Sequence, residues 1–153
     1  MIGEVLVGRY RIDKELGRGG FGETFLARDL HMPKQPLCVV KHLKPVSDNP
    51  QLIDIATRLF KKEAETLAEL GEHPQIPRLY AYFTEGEDFY LVQEFIDGKD
   101  LANEMNKRWT PKQVCNLIVE VMQILEFVHS KGVIHRDIKP QNIIAVRRIT
   151  NWC

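Results

Sequence analysis

The segment His135-Arg136-Asp137-Ile138-Lys139-Pro140-Gln141-Asn142 constrains this chain more than any other eight residues. It follows the end of an apolar helical run and precedes the apolar pair Ile143-Ile144, so it must lie in a loop between a helix and a buried segment. Within that loop a carboxylate, an ammonium and a side-chain amide stand at fixed offsets. Asp137 is suited to accept the proton of a hydroxyl, Lys139 to steady a phosphate, and Asn142 to hold a magnesium ion, a set that suits phosphoryl transfer. No Asp-Phe-Gly occurs anywhere in the sequence, whose last residue is Cys153.

A length of 153 residues fits one domain with its own core. Twenty-one basic residues balance twenty-one acidic ones, so no global field draws the chain to nucleic acid or anionic lipid. Cys38, Cys115 and Cys153 are far apart and form no Cys-x-x-Cys pair. That spacing disfavours a zinc site or a disulfide framework and fits a reducing cytoplasm. The Met1 end has no basic stretch followed by an apolar run, so no signal peptide is expected. The longest apolar stretch, 117–128, is broken by Glu120, Gln123 and Glu126, so no membrane segment is expected either.

Alternating residues at 9–16 and 23–28 read as two strands joined by a glycine-rich turn, and 37–41 as a third, β-branched strand. Asn49-Pro50 is a helix start. From there Leu52, Ile55, Ala56, Leu59, Phe60, Leu67 and Leu70 recur at helical spacing until Gly71. A second hairpin spans 79–84 and 89–95. Asp97-Gly98-Lys99-Asp100 reads as a linker, and a short helix is expected at about 101–107. Thr110-Pro111-Lys112-Gln113 is a capping box opening a long helix that Gly132 closes.

Gly17-Arg18-Gly19-Gly20-Phe21-Gly22 fits G-x-G-x-x-G. Its glycines serve either a tight hairpin alone or a flap whose amides cover phosphates. A Rossmann turn is excluded, because a strand rather than a helix follows. Lys41 is either the solvated end of a strand or an ammonium fixed against phosphates. Glu63 falls on the apolar helix stripe, four residues after Leu59 and four before Leu67. It either keeps its head in water at the stripe's edge or pairs with Lys41, which would offset the cost of burying its charge. His135 reads as a packed residue that buttresses its loop.

Glycine motif, strand lysine, helix glutamate and polar loop come in the order and spacing of the eukaryotic-type protein kinases, which the chain resembles over residues 9–146. Lys139-Pro140 resembles the serine/threonine branch. The stretch 16–24 and His73-Pro74-Gln75-Ile76-Pro77 are similar to bacterial, particularly cyanobacterial, members. The resemblance implies an α+β, protein-kinase-like fold. A complete N-terminal lobe at 1–96, five antiparallel strands and one helix, would bind ATP, and 97–153 would begin a helical C-terminal lobe. It implies an ATP site of Leu16, Gly17, Arg18, Gly19, Gly20, Phe21, Gly22, Thr24, Val39, Lys41, Glu63, Gln93, Glu94, Ile96 and Ile144. Within that site Gln93 would be the gatekeeper, Glu94 to Ile96 the hinge, and Ile144 the apolar floor. Asp97 is suited to a ribose hydroxyl, although an Asp before Gly is also ordinary turn chemistry. Trp109 reads as packing. The catalytic residues implied are Asp137, Lys139 and Asn142, with ATP and Mg²⁺ as cofactors and a protein Ser or Thr hydroxyl as substrate.

The chain departs from the family's pattern after Ile144, where Asp-Phe-Gly and the activation segment would follow. The second magnesium ligand is therefore missing, and Asn142 alone offers one neutral oxygen to a hard cation. The expectation is a serine/threonine kinase by family, truncated and inactive alone. A pseudokinase-like nucleotide-binding or interaction module is one alternative, and the product of an interrupted kinase gene is another. The face of the long helix carrying Val114, Leu117, Ile118, Val121, Leu125 and Val128, together with Val133, is expected to lie uncovered. It would then promote self-association or dock a partner.

Overall fold

The structure, a computed structural model, describes residues 1–19, 22–44, 49–104, 109–135 and 137–146. The chain divides into two compact units, Met1–Phe95 and Ile96–Cys153.

The first unit is one antiparallel sheet with a helix on it. Its strands are β1 (Val5–Leu6), β2 (Tyr10–Gly19), β3 (Gly22–Asp29), β4 (Leu37–Leu43), β5 (Leu79–Glu85) and β6 (Asp88–Glu94), in the order β1-β2-β3-β4-β6-β5. The five strands anticipated from the sequence are present, and the short edge strand β1 adds a sixth. Period two is plainest in β3, where Glu23, Phe25, Ala27 and Asp29 are buried and their neighbours half-exposed. In β4, at the centre, Cys38, Val39 and Val40 are buried in succession because both faces are covered.

One face carries Tyr10, Ile12, Phe25, Ala27, Val40 and Val92. The other presents Leu43 and Leu91 to helix α1 (Pro50–Leu70), which answers with Ala56, Phe60 and Ala64. Those three recur every four residues, and the two alanines let the helix approach the sheet closely. Burying a side chain such as Phe60 or Leu91 stabilises by about 1.5–3 kcal/mol. The local signals act as expected. Asn49 Oδ1 accepts the Gln51 amide at 2.9 Å, Pro50 opens the helix, and Gly71 ends it at φ 65°.

The second unit holds β7 (Gly98–Asp100), α2 (Leu101–Glu104), α3 (Pro111–Ser130), a 3₁₀ turn (Pro140–Asn142) and β8 (Ile144–Val146). The linker expected at 97–100 is corrected here: Gly98–Asp100 is a strand paired antiparallel with Ile144–Val146. Three residues are too short to show a period, and their partner lies far along the chain. Only 101–104 of the expected helix at 101–107 is described. Helix α3 opens on the capping box, the Gln113 amide donating to Thr110 Oγ1 at 3.3 Å and the Thr110 amide to Gln113 Oε1 at 2.8 Å. Of the apolar residues expected to be uncovered, Val114 and Ile118 are exposed. Leu117, Val121, Leu125 and Val133 are half-buried, and Val128 is buried. Val119 and Met122 are exposed as well, at 54% and 64%.

Candidate functional site

In the first unit the register lines up the candidates. Gly17 pairs with Thr24, Thr24 with Lys41, and Lys41 with Leu91, one row across β2, β3, β4 and β6. The next row on that face pairs Leu26 with Val39 and Val39 with Gln93. Directly opposed residues share a face, so Thr24, Val39, Lys41 and Gln93 all lie on the side that Leu91 presents to α1. There Lys41 Nζ and Glu63 Oε1 meet as an ion pair. A lysine near the end of an apolar strand and a carboxylate on an apolar stripe thereby neutralise each other at a half-exposed position.

The glycines do unlike things. A Cβ on Gly17 or Gly19 would meet nothing within 4 Å, whereas one on Gly22 would collide with the His42 carbonyl. Gly22 is thus required by the approach of β3 to β4. Gly20 and Phe21 lie outside the described residues. Leu16 sits at an irregularity of β2, is 44% exposed and precedes Gly17. Glu94 is tied into the sheet edge: its amide donates to the Arg78 carbonyl at 2.8 Å, and its Oε2 accepts the Arg78 amide at 3.2 Å. That amide is therefore engaged within the sheet, and Ile96 is a half-buried residue of the second unit.

Glu23 and His42 escaped the sequence reading. Both are only 6% exposed. The signal was available: Glu23 falls in phase with Phe25 and Ala27, the buried positions of its strand.

In the second unit the polar loop converges on Asp137. Its Oδ2 accepts from Asn142 Nδ2 at 2.9 Å and pairs with Lys139 Nζ at 2.8 Å, while its carbonyl accepts from the same Nδ2 at 3.0 Å. The Lys139 ammonium, and then Asn142, hold the exposed Asp137 carboxyl below its ordinary value. His135 accepts the Asp137 amide on Nδ1 at 3.3 Å. Its ring is exposed rather than packed, so it braces the loop through that bond. Arg136 lies outside the described residues. Ile144 is 42% exposed on β8, paired with Asp100.

Among the described residues, no group of three or more His, Cys, Asp or Glu side chains is arranged to hold a metal ion. Asn142 directs its Nδ2 at Asp137, which leaves a single neutral Oδ1 for a cation. That set does not fit a hard divalent ion by itself. No helix among the described residues is long and apolar enough to cross a membrane.

An antiparallel lobe with a glycine hairpin, a strand lysine paired to a helix glutamate, and an Asp-x-Lys-x-x-Asn loop together define a kinase-like protein. Residues 10–150 match the protein kinase domain, and the chain belongs to that family. It is 56% identical over 144 residues to serine/threonine-protein kinase C of Synechocystis, covering 92% of this chain and 27% of that relative. It is 45% identical over 148 residues to serine/threonine-protein kinase PknA of Nostoc, covering 95% and 26% respectively. The chain thus spans about a quarter of the length of these curated relatives. The kinase domain of Mycobacterium tuberculosis PknI, solved as a point mutant, has the same fold, with a TM-score of 0.73 and 24% identity over 95% of this chain and 58% of that one. Protein kinases as a family use ATP and divalent metal.

Proposed function

We propose that residues 1–96 are an ATP-binding kinase lobe, and that 97–153 contribute the catalytic loop of an ATP-dependent protein serine/threonine kinase. The observation that carries this reading is the Lys41–Glu63 ion pair beside the glycine hairpin. It fixes an ammonium where nucleotide phosphates would lie under the hairpin's amides. Val39 and Gln93 would frame the base. Leu16 and Thr24 would flank the flap.

Bound ATP would supply the phosphoryl group. Asp137 would orient a Ser or Thr hydroxyl and take its proton on the carboxylate, and Lys139 would turn from Asp137 to the transferring phosphate. Magnesium is not proposed to rest on Asn142 alone. These 153 residues contain no Asp-Phe-Gly. By themselves they are therefore proposed to bind nucleotide without measurable transfer, since this chemistry is almost wholly positioning and electrostatic stabilisation. A cytoplasmic setting agrees with unpaired Cys38 and Cys115.

The test is a titration with a fluorescent ATP analogue beside a transfer assay on a generic basic protein. Binding without transfer is the expected result. Transfer that Asp137→Ala abolishes would make the 153 residues a sufficient kinase, and absence of binding would refute the nucleotide reading.

A further inference from the structure

Beside the row that carries Lys41 runs a second one that faces the other way. Arg18 pairs with Glu23, Glu23 with His42, and His42 with Tyr90, across β2, β3, β4 and β6. Glu23 is the residue immediately after the motif's last glycine, and its side chain is 7% exposed. A carboxylate so buried needs compensating charge. Arg18 Nη2 lies 3.1 Å and Lys44 Nζ 3.6 Å from Glu23 Oε1, and His42 Nδ1 lies 3.7 Å from Glu23 Oε2. His42 in turn stacks on Tyr90 with ring centroids 4.8 Å apart, and its Nε2 lies 3.0 Å from Asp88 Oδ1. Neither ring nitrogen is aligned as a hydrogen bond, and the imidazole is held by its stacking on Tyr90.

Arg18 is the residue between Gly17 and Gly19 and is 65% exposed. Glycines leave a hairpin with little of its own to fix it. We propose that Glu23 is a positioning residue for the glycine flap. Reaching through Arg18, it anchors the Gly17–Gly19 backbone to the centre of the sheet from the face away from Lys41. The same carboxylate touches His42, the chain neighbour of Lys41, so flap and phosphate-binding ammonium share one rigid reference. Glu23 itself touches no nucleotide. The inference rests on the nucleotide-binding reading above, because the flap's task is to cover phosphates.

The test compares wild type, Glu23→Gln, Arg18→Met and the double variant in the full chain. Titrations with ATP and with adenosine separate the flap from the rest of the site, because only ATP carries phosphates. Each single variant should weaken ATP by about fivefold while leaving adenosine unchanged. Arg18 also pairs with Glu15 at 3.5 Å, so the double variant should be no worse than Arg18→Met alone, because the tether from Glu23 runs through Arg18. In the nucleotide-free protein, the amides of Gly17 and Gly19 should exchange faster in both variants. Because Arg18 is itself an ATP-site candidate, the exchange of the Gly17 and Gly19 amides in nucleotide-free Arg18→Met, not its ATP affinity, keeps the test decisive should Glu23→Gln fold poorly. Unchanged ATP affinity, or parallel loss of ATP and adenosine, would overturn the proposal and leave Glu23 a structural ion cluster. If wild type binds neither ligand, the nucleotide reading falls. The tether is then decided by exchange alone, faster Gly17 and Gly19 amides supporting it and unchanged ones refuting it.

Discussion

Lys41 on the central strand and Glu63 on α1, 22 positions apart in sequence, meet as a half-exposed ion pair. Neither residue is at ease alone, the lysine at the end of an apolar strand and the glutamate on an apolar helix face. Their meeting joins helix and strand on the face where Ala56, Phe60 and Ala64 pack.

Lys41→Met should therefore separate stability from binding. Half-exposed pairs of this kind contribute about 0–1 kcal/mol, so the melting temperature should move little. ATP affinity should fall by about tenfold or more, since charge-assisted contacts to phosphate are the strong ones. Calorimetric melting and a nucleotide titration on one preparation check both halves. A large fall in melting temperature with unchanged binding would make the pair purely structural.

Gly17 and Gly22 should respond oppositely to alanine. A Cβ at Gly22 collides with the His42 carbonyl, backbone that can yield only by parting β3 from β4. Gly22→Ala should cost about 1–3 kcal/mol. Gly17→Ala meets open space and should stay within about 0.5 kcal/mol. Denaturant unfolding of both variants checks the contrast.

The Asp137 carboxyl should titrate below the ordinary aspartate value of about 3.9. A depressed carboxylate contributes its stabilisation above the ordinary value and loses it as pH falls through the lowered one. The loop contacts should therefore survive at neutral pH and fail only in acid. Lys139→Met removes the main cause and should move the midpoint up. Carbon-detected NMR of the carboxyl reads it directly, and a midpoint unmoved by Lys139→Met would contradict the observed pair.

Burial pushes the Cys38 thiol up to about 11, whereas Cys115 is exposed. At pH about 8 an alkylating reagent should modify Cys115 quickly and Cys38 only on unfolding, since the thiolate is the nucleophile. Peptide mapping after timed labelling distinguishes them. Comparable early labelling of both would mean that the sheet opens readily.

Ile118, Val119 and Met122 present a largely exposed apolar strip on α3, at 52%, 54% and 64%. Such a strip favours self-association. Sedimentation should show species larger than a monomer, and Ile118→Glu with Met122→Glu should shift them towards the monomer. A monodisperse wild-type monomer with slow amide exchange along 111–131 would count against it.

The parts legible in the sequence were those whose cause is local. Asn49 and Gly71 bound α1, and Thr110 with Gln113 opens α3, because a side chain satisfies the helix's free amides within a few residues. Alternation in β2 and β3, a β-branched run in β4 and a turn between β5 and β6 revealed the five longer strands of the sheet. The Asp137, Lys139 and Asn142 cluster was legible because one loop carries all three. Its internal bonding was not, since the sequence pattern points Lys139 to phosphate and Asn142 to metal while each contacts Asp137 here.

What tertiary structure alone decided was pairing at a distance. Val5–Leu6 became an edge strand only because β2 was there to pair with it, and Gly98–Asp100 became a strand only opposite Ile144–Val146. Gly22 read as either a hairpin glycine or a phosphate-approach glycine, and only the nearness of β4 showed which atom excludes a side chain. Glu23 escaped the sequence reading although it is a carboxylate in phase with Phe25 and Ala27. Which cations would meet it depended on the register of β2 against β3 and of β3 against β4. Local pattern sets which face a residue takes, but its neighbours on that face come from strands whose alignment no short window of sequence contains.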